Sequence, residues 1–428
     1  MITDFHIVLP AVLHTLHVFS EFQTIIDSYL LKIFTFFGIV SPMRMFRSVI
    51  LLHVTGVEYQ HHYRLFYPEI KSYFSSYCML YGVDKIMAAV GKLTNSMASW
   101  KLIMIQNGMI KTRCPQLLSC PGAMGKRVAD IDVTVLQSSS SIKEGAESGY
   151  NKKAKGKPCF QLSATFIGRV FVDARLFPGC TNPKDHFQKA VKRVISLGQR
   201  IDIVRADSAY MTLENLLFLT KLSLGYAIGA PATFNAVKNG KDLFKKLARL
   251  KSTAIIRVSK GVALYDMKEV VLTNGVKTRI VIVRRINRTK KKGKWHVNTY
   301  YYGISSNLEL SAVCLYRFYH KRQCIEAGFR ELKNHYHLER LPFQGLKANE
   351  FQVISKITAM TLIKIFQAEM LPEALQNLLR KTLFRRVFQK GLCIDKAGKV
   401  QARRRNKYTW HLRRLLCKTE RMRLQVIA

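Results

Sequence analysis

At Val128 the hydrophobic pattern of the chain changes period. The stretch VADIDVTVLQ puts Val128, Asp130, Asp132 and Thr134 on one face and Ala129, Ile131, Val133 and Val135 on the other, which is the alternation of a β-strand. Upstream, residues 1–125 carry apolar positions three and four apart with few turn signals, the spacing of helices. A helical N-terminal region is therefore expected to lead into a sheet-bearing core. Asp132 falls mid-strand on a surface that should be half-buried, where an uncompensated carboxylate is costly. Something else in the fold has to compensate it.

The order of the following segments fixes the kind of sheet. SSSSIKEGAESGYNKKAKGKP reads as a solvated basic loop, and CFQLSATFIG and RVFVDARLFPG as two strands joined by a tight turn near Gly168. NPKDHFQKAVKRVISLG has Asn182 as N-cap, Pro183 in the first turn and Gly198 at its end, a helix. The strand IDIVRAD, the helix TLENLLFLTKL and the strand GYAIGAP come next. Three strands, a helix, then alternating strand and helix predict an α/β unit over 126–232, a mixed sheet covered on both faces.

Residues 233–305 break that rhythm. After the basic helix DLFKKLARL, EVVLTNGVKTRIVIVRRI carries an Asn-Gly pair between β-branched runs, a hairpin signal, and NRTKKKGKWHVNTYYYG is a basic tip entering another strand. This reads as a β-rich insertion, after which the core resumes over 306–379. Residues 380–428 hold sixteen Lys and Arg against Asp395 and Glu420. Such a basic C-terminal tail is expected to order on a phosphate backbone.

Charge narrows the partners. Sixty-nine Lys and Arg against 27 Asp and Glu give a formal charge of +42 on 428 residues, far more than solubility requires. Nucleic acid is the leading partner and an anionic membrane surface the second. The nine cysteines form no C-x-x-C, so neither a disulfide scaffold nor a zinc ribbon is supported and reduced thiols are expected. The apolar runs FHIVLPAVLHTLHVF and YLLKIFTFFGIV are each shorter than the ~20 residues a membrane span needs. They read as buried helices, and no secretory signal is expected.

The stretch FYHKRQCIEAGFRELKNHY, 318–336, reads as one helix. At about 100° per residue, Tyr319, Arg322, Glu326 and Lys333 share an arc of roughly 60°, bordering the apolar band of Phe318, Ile325, Phe329, Leu332 and Tyr336. An Arg and a Glu four apart also pair on exposed helices, so partners elsewhere must decide what the stripe does. Asp207 ends the strand IDIVRAD, at the carboxyl edge where open α/β sheets place ligands, though it equally suits a cap for SAYMTLENLL. Asp130 and Asp202 read as structural or peripheral. An Asp on the first strand, an Asp after a later strand and a Glu on a distant helix suit two Mg²⁺ ions about 3.5–4 Å apart, with one carboxylate bridging both ions and each of the others taking one.

At these residues the chain resembles the DDE transposases of bacterial insertion sequences, in the branch with a Tyr-x2-Arg-x3-Glu-x6-Lys signature. The signature stands here as Tyr319, Arg322, Glu326 and Lys333. The likeness runs in order from DIDVT through EGAESGYNKKAKGKP, LFPGCTNPKDHF and RADSAY to GLKANEF. It implies a ribonuclease-H-like mixed-sheet catalytic core interrupted by a β insertion between the second Asp and the Glu. It implies Asp132, Asp207 and Glu326 as catalytic metal ligands for two Mg²⁺ ions, with Mn²⁺ able to substitute. Arg322 and Lys333 would meet phosphates near the cleaved bond, and Tyr319 a phosphate or sugar.

The function so implied is cut-and-paste movement of an insertion sequence. Phosphodiester hydrolysis at the terminal inverted repeats is followed by strand transfer into target DNA, by a homodimer synapsed on DNA in the bacterial cytoplasm and nucleoid. A structure-selective nuclease on the same fold and an inactive DNA-binding remnant remain the alternatives. Trp295, beside the basic KKKGK segment, is a candidate for stacking on an unpaired base, or else a strand tryptophan packed in the insertion's own core.

Overall fold

The computed structural model describes residues 83–149, 154–230, 255–271, 277–291 and 294–394, with 42–54, 400–403, 410–418 and scattered positions in 10–25, at 151 and at 408. The expected basic helix at 241–249, the Asn274-Gly275 turn, Arg404 and Arg405, and most of both N-terminal apolar runs lie outside the described residues.

Three described helices precede the sheet: α1 (Pro42–Val54), α2 (Val83–Gly91) and α3 (Met97–Arg113). The core then runs β1 (Val128–Gln137), β2 (Glu147–Ser148), β3 (Pro158–Ile167), β4 (Val170–Pro178), α4 (Phe187–Ser196), β5 (Ile203–Ala206), α5 (Leu213–Lys221) and β6 (Gly225–Ala230). Next come β7 (Ile255–Ser259), β8 (Val262–Val271), β9 (Lys277–Lys291) and β10 (Lys294–Ser306), then α6 (Ala312–His320), α7 (Gln323–His335) and α8 (Leu346–Met370).

The strands form one mixed sheet in the order β2-β3-β1-β5-β6-β10-β9-β8-β7, with β4 paired to β3. β3 runs antiparallel to β1, and β4 antiparallel to β3. β5 and β6 run parallel to β1. The β3–β4 turn needs its glycine: Gly168 has φ +62, and a Cβ there would sit 2.3 Å from the Leu117 carbonyl oxygen. The strands of the 233–305 segment do not stand apart. β10 pairs with β6 from Gly303↔Ala230 to Ser306↔Ala227, so β7–β10 continue the main sheet.

Helix α8 is buried almost all round and packs on β4, α3 and α1, as a helix with apolar residues on every side must. The basic tail differs from its expectation. Leu383, Phe384, Val387, Phe388, Leu412 and Leu415 are buried in the same core, and the Phe388 ring lies 6.2 Å from that of Phe366. The high density of cations hid an apolar face that packs without nucleic acid. Among the described residues no helix is long and apolar enough to cross a membrane.

Along β1 the cover changes from one end to the other. Val128 to Ile131 are buried, Asp132 to Val135 half-buried, and Gln137 exposed. Leu136 is buried again, so the cover over the strand is interrupted from Asp132 to Val135.

Candidate active site

Adjacent parallel strands deliver the two aspartates. β1 and β5 pair with Asp130 opposite Arg205 and Ile131 opposite Ala206, so Asp132 and Asp207 are the next residues along, just past the last β1–β5 pair: Asp207 follows the end of β5, and Asp132 lies midway along the longer β1. Asp207 leaves the sheet in extended conformation and its Oδ1 accepts from the Ala209 N–H at 2.8 Å, capping the single turn Ser208–Tyr210. It does not cap α5, which has its own N-cap in Thr212. The capping reading therefore holds for the Ser208–Tyr210 turn only, and Asp207 lies just past the carboxyl end of β5.

The stripe arrives from two helices, not one. α6 ends at His320 and α7 begins at Gln323; across the join, Arg322 N–H bonds Tyr319 O at 3.0 Å and Ile325 N–H bonds Arg322 O at 3.2 Å, bonds to the third residue back. The join keeps the stripe together. Arg322 donates through Nη1 to Asp132 Oδ2 at 2.9 Å and through Nη2 to Glu326 Oε1 at 2.6 Å. Gly328 lets α7 lie close on the sheet, since a Cβ there would come within 3.0 Å of the Phe171 ring. Tyr319 reaches the Asp207 side: a Cβ on Gly229 would lie 2.6 Å from its hydroxyl and 3.0 Å from Ser208 N.

Lys333 approaches from about two turns beyond Glu326 on α7. Its Nζ donates to the Val135 carbonyl at 2.8 Å and pairs with Glu339 at 3.0 Å. A cavity of about 540 Å³ opens between these elements, lined by Asp132, Asp207, Tyr210, Gln161, Lys333 and Glu339 among others. Glu326 stands at the side of this space, 44% exposed, and joins the group through Arg322. Trp295 does not: it is 67% exposed on β10, facing Lys290 of β9 across the ladder.

The charges are unevenly balanced. Burial pushes the Asp132 carboxyl up to about 6; Arg322 works against this, while Asp207 and Glu326 add to it. Burial opposes the charge of Arg322, but Asp132, Tyr319, Glu326 and Asp207 outweigh it and raise its pKa. Burial, followed by the charges of Asp132 and Asp207, lifts the Tyr210 hydroxyl well above the ordinary phenol range. The Tyr210 hydroxyl and the Gln161 side-chain oxygen are buried without a hydrogen-bond partner. Sequence reasoning missed both, because an isolated Tyr or Gln carries no pattern.

Sequence reasoning missed Arg205 too, although its signal is present. A cation within the buried strand Ile203–Ala206 has to find a buried anion, and Asp130 is that anion, at 2.7 Å from both Nε and Nη2.

A family of this kind generally uses divalent metal ions. The donors here have the right chemistry, since carboxylates are hard oxygen ligands and Asp132 is short of positive charge, its proton affinity raised by burial and by Asp207 and Glu326. Among the described residues no three such side chains are gathered about one point. The Arg322 guanidinium spans Asp132 and Glu326 instead and supplies part of the missing charge.

The comparisons with known proteins bear on the family. A search of curated proteins finds no match. Among solved structures the chain is similar to a piggyBac transposase in a cryo-EM synaptic complex with hairpin DNA, at 10% identity over 91% of this chain and 87% of that one. The TM-score is 0.38, too low for an argument to rest on it. The family model described as transposase DDE domain group 1 matches residues 88–404, well over half of the chain and all of the site residues named above, so the chain belongs to the DDE-domain transposases.

Proposed function

We propose that the chain is the transposase of a bacterial insertion sequence, in the branch marked by Tyr319, Arg322, Glu326 and Lys333, and that it moves its element by cut-and-paste. The observation that carries this reading is the meeting of Asp132, Arg322 and Glu326, with Asp207 on the next strand end. Residues far apart in sequence converge where the cover over β1 is interrupted. The order β4-β3-β1-β5-β6, with the first three strands antiparallel and the last two parallel to β1, supports a ribonuclease-H-like core. In this reading residues 1–125 form the helical region, 126–232 and 306–379 the core, 233–305 an insertion by sequence, and 380–428 a basic tail.

Asp132, Asp207 and Glu326 would hold two Mg²⁺ ions, for which Mn²⁺ substitutes. When bound, the ions supply a water acidic enough to attack phosphorus and positive charge for the departing oxygen. The protein's own part is positional. Arg322 already holds two carboxylates, so a DNA phosphate that takes over its donors would release Asp132 and Glu326 for metal. Lys333 lines the cavity and Tyr319 lies near Ser208, beside Asp207; both would contact the phosphates or sugars of the strand being cut. The charge of +42 supplies affinity for DNA of any sequence, and two copies would pair on the two element ends.

The test is a supercoiled plasmid carrying the element's terminal inverted repeats, incubated with protein, Mg²⁺ and a target plasmid. Excision with joining of the freed 3′ ends to target DNA is expected. Cutting without joining would leave a nuclease, and binding without cutting would leave a DNA-binding remnant.

A further inference from the structure

The join between α6 and α7 has no sequence cause of the usual kind. Helices break at proline, at glycine or serine pairs, at π-bulges, or where a side chain enters the hydrogen-bond ladder, and residues 318–325, FYHKRQCI, contain no proline, glycine or serine. A side chain does enter the ladder here. Arg205 Nη1 donates to the Phe318 carbonyl at 2.6 Å, and its guanidinium carbon lies 4.8 Å from the centre of the Phe318 ring. In an uninterrupted helix that carbonyl would accept from the Arg322 N–H; here the Arg322 N–H goes to Tyr319 instead, and Lys321 N–H reaches Phe318 O at 3.2 Å.

The same guanidinium is anchored below. Its Nε and Nη2 fork onto Asp130, and Asp130 Oδ2 also accepts from Cys324 Sγ at 3.0 Å, on the far side of the break. One ion pair thus grips the chain before the break at Phe318 and after it at Cys324. Between and beside those two grips lie Arg322 and Glu326.

We propose that Arg205 is a positioning residue: by occupying the Phe318 carbonyl it opens the helix between α6 and α7 and sets where Arg322 and Glu326 meet Asp132. The inference rests on the functional reading above, in that it assigns Arg205 a part in the same chemistry. A core ion pair with no such part would affect stability alone.

Two variants separate these roles. Arg205→Lys keeps a cation beside Asp130 but has no second arm for Phe318, and the double change D130L/R205M replaces the pair by apolar groups of similar size, which buried pairs often tolerate. Each is compared with wild type for thermal midpoint, DNA affinity, nicking of the element end, and amide hydrogen exchange across 318–326. With positioning, both variants melt near wild type, exchange at 319–326 changes, and the nicking kcat falls about a hundredfold while KM for DNA moves less than about threefold. Nicking within about threefold of wild type, or unchanged exchange across the break, would overturn the proposal. Glu326→Gln is run beside them. If it nicks normally, the functional reading fails and the exchange data still judge the break; if it is inactive while the Arg205 variants are active, only the positioning role fails.

Discussion

Two Asp–Arg pairs sit two residues apart on one face of β1, and they are opposites. Asp130 is fully buried, forked by Arg205 at 2.7 Å twice, and closed over by Cys324 and Phe318. Asp132 is half-buried, takes one bond from Arg322, shares that arginine with Glu326, and opens on a cavity with Asp207 beyond it. The residue types are the same, so the difference comes from where the cover over β1 is interrupted. A sealed pair acts only through the backbone and side chains it holds in place, whereas an open pair with surplus negative charge is able to exchange its cation. From the sequence Asp130 reads as structural or peripheral and Asp132 as the acid to single out, and the burial of the two carboxyls follows the same division.

The strongest way to break this contrast is to remove the outer acids. Asp132→Asn, Asp207→Asn and Glu326→Gln should each lower cleavage of the element end in Mg²⁺ by about a hundredfold or more, on the scale of losing a principal electrostatic group in an active site. DNA affinity and thermal midpoint should hold. A variant that keeps wild-type cleavage would remove its residue from the site and leave the outer pair a structural one.

The inner pair should fail differently. Asp130→Ala leaves the Arg205 cation buried without its partner, and breaking a buried pair from one side costs about 3–5 kcal/mol. Chemical denaturation should show that loss in full, at every pH where the protein is folded. A loss of less than about 1 kcal/mol, the range of surface pairs, would mean that Arg205 is reached by water and that the sealed description is wrong.

Acidity sharpens the contrast further. The Asp132 carboxyl is held at about 6, above its ordinary value, chiefly by burial. A carboxyl raised on folding disfavours the folded state once it ionises, so without divalent metal the contribution of Asp132 to stability should be largest below about pH 4 and fall as pH rises to about 6, by on the order of 3 kcal/mol at most. Subtracting the profile of Asp132→Asn isolates this contribution. Equal slopes in the two proteins would show that the Asp132 carboxyl is not raised on folding.

What could be read from the sequence follows the same division between pattern and partner. The strand at 128–137, the Gly168 turn and the two strands that follow it announce themselves by alternation and by a glycine that the backbone requires. The carboxylates and the arginine were legible because their types and order match a known family. The break at 321–322 was not, because its cause is Arg205, more than a hundred residues away; a helical wheel registers only local periodicity. The burial of Phe384 and Phe388 in the tail was obscured by the cations around them. Long Lys and Arg side chains mark a surface without revealing that its other face is core.

The smallest effect is expected where neither kind of pair operates. β8 accompanies β9 only as far as Val262↔Arg285, and from there β9 and β10 run on as a two-stranded ribbon with Thr299 opposite Ile286 and Trp295 opposite Lys290. Trp295, Val297 and Tyr300 are exposed on it, so the alternative of a tryptophan packed in the insertion's own core has no support in its surroundings. Trp295→Ala should therefore change stability by no more than about 0.5 kcal/mol. If the ring stacks on an unpaired base at the element end, the same change should weaken a step after the first nick by about 1–3 kcal/mol, with first-strand nicking near normal. Following nicking, second-strand cleavage and joining separately on one labelled end reads this directly. Normal progress through all three would take Trp295 out of the DNA contacts, and a fall in thermal midpoint together with every step would return it to the core.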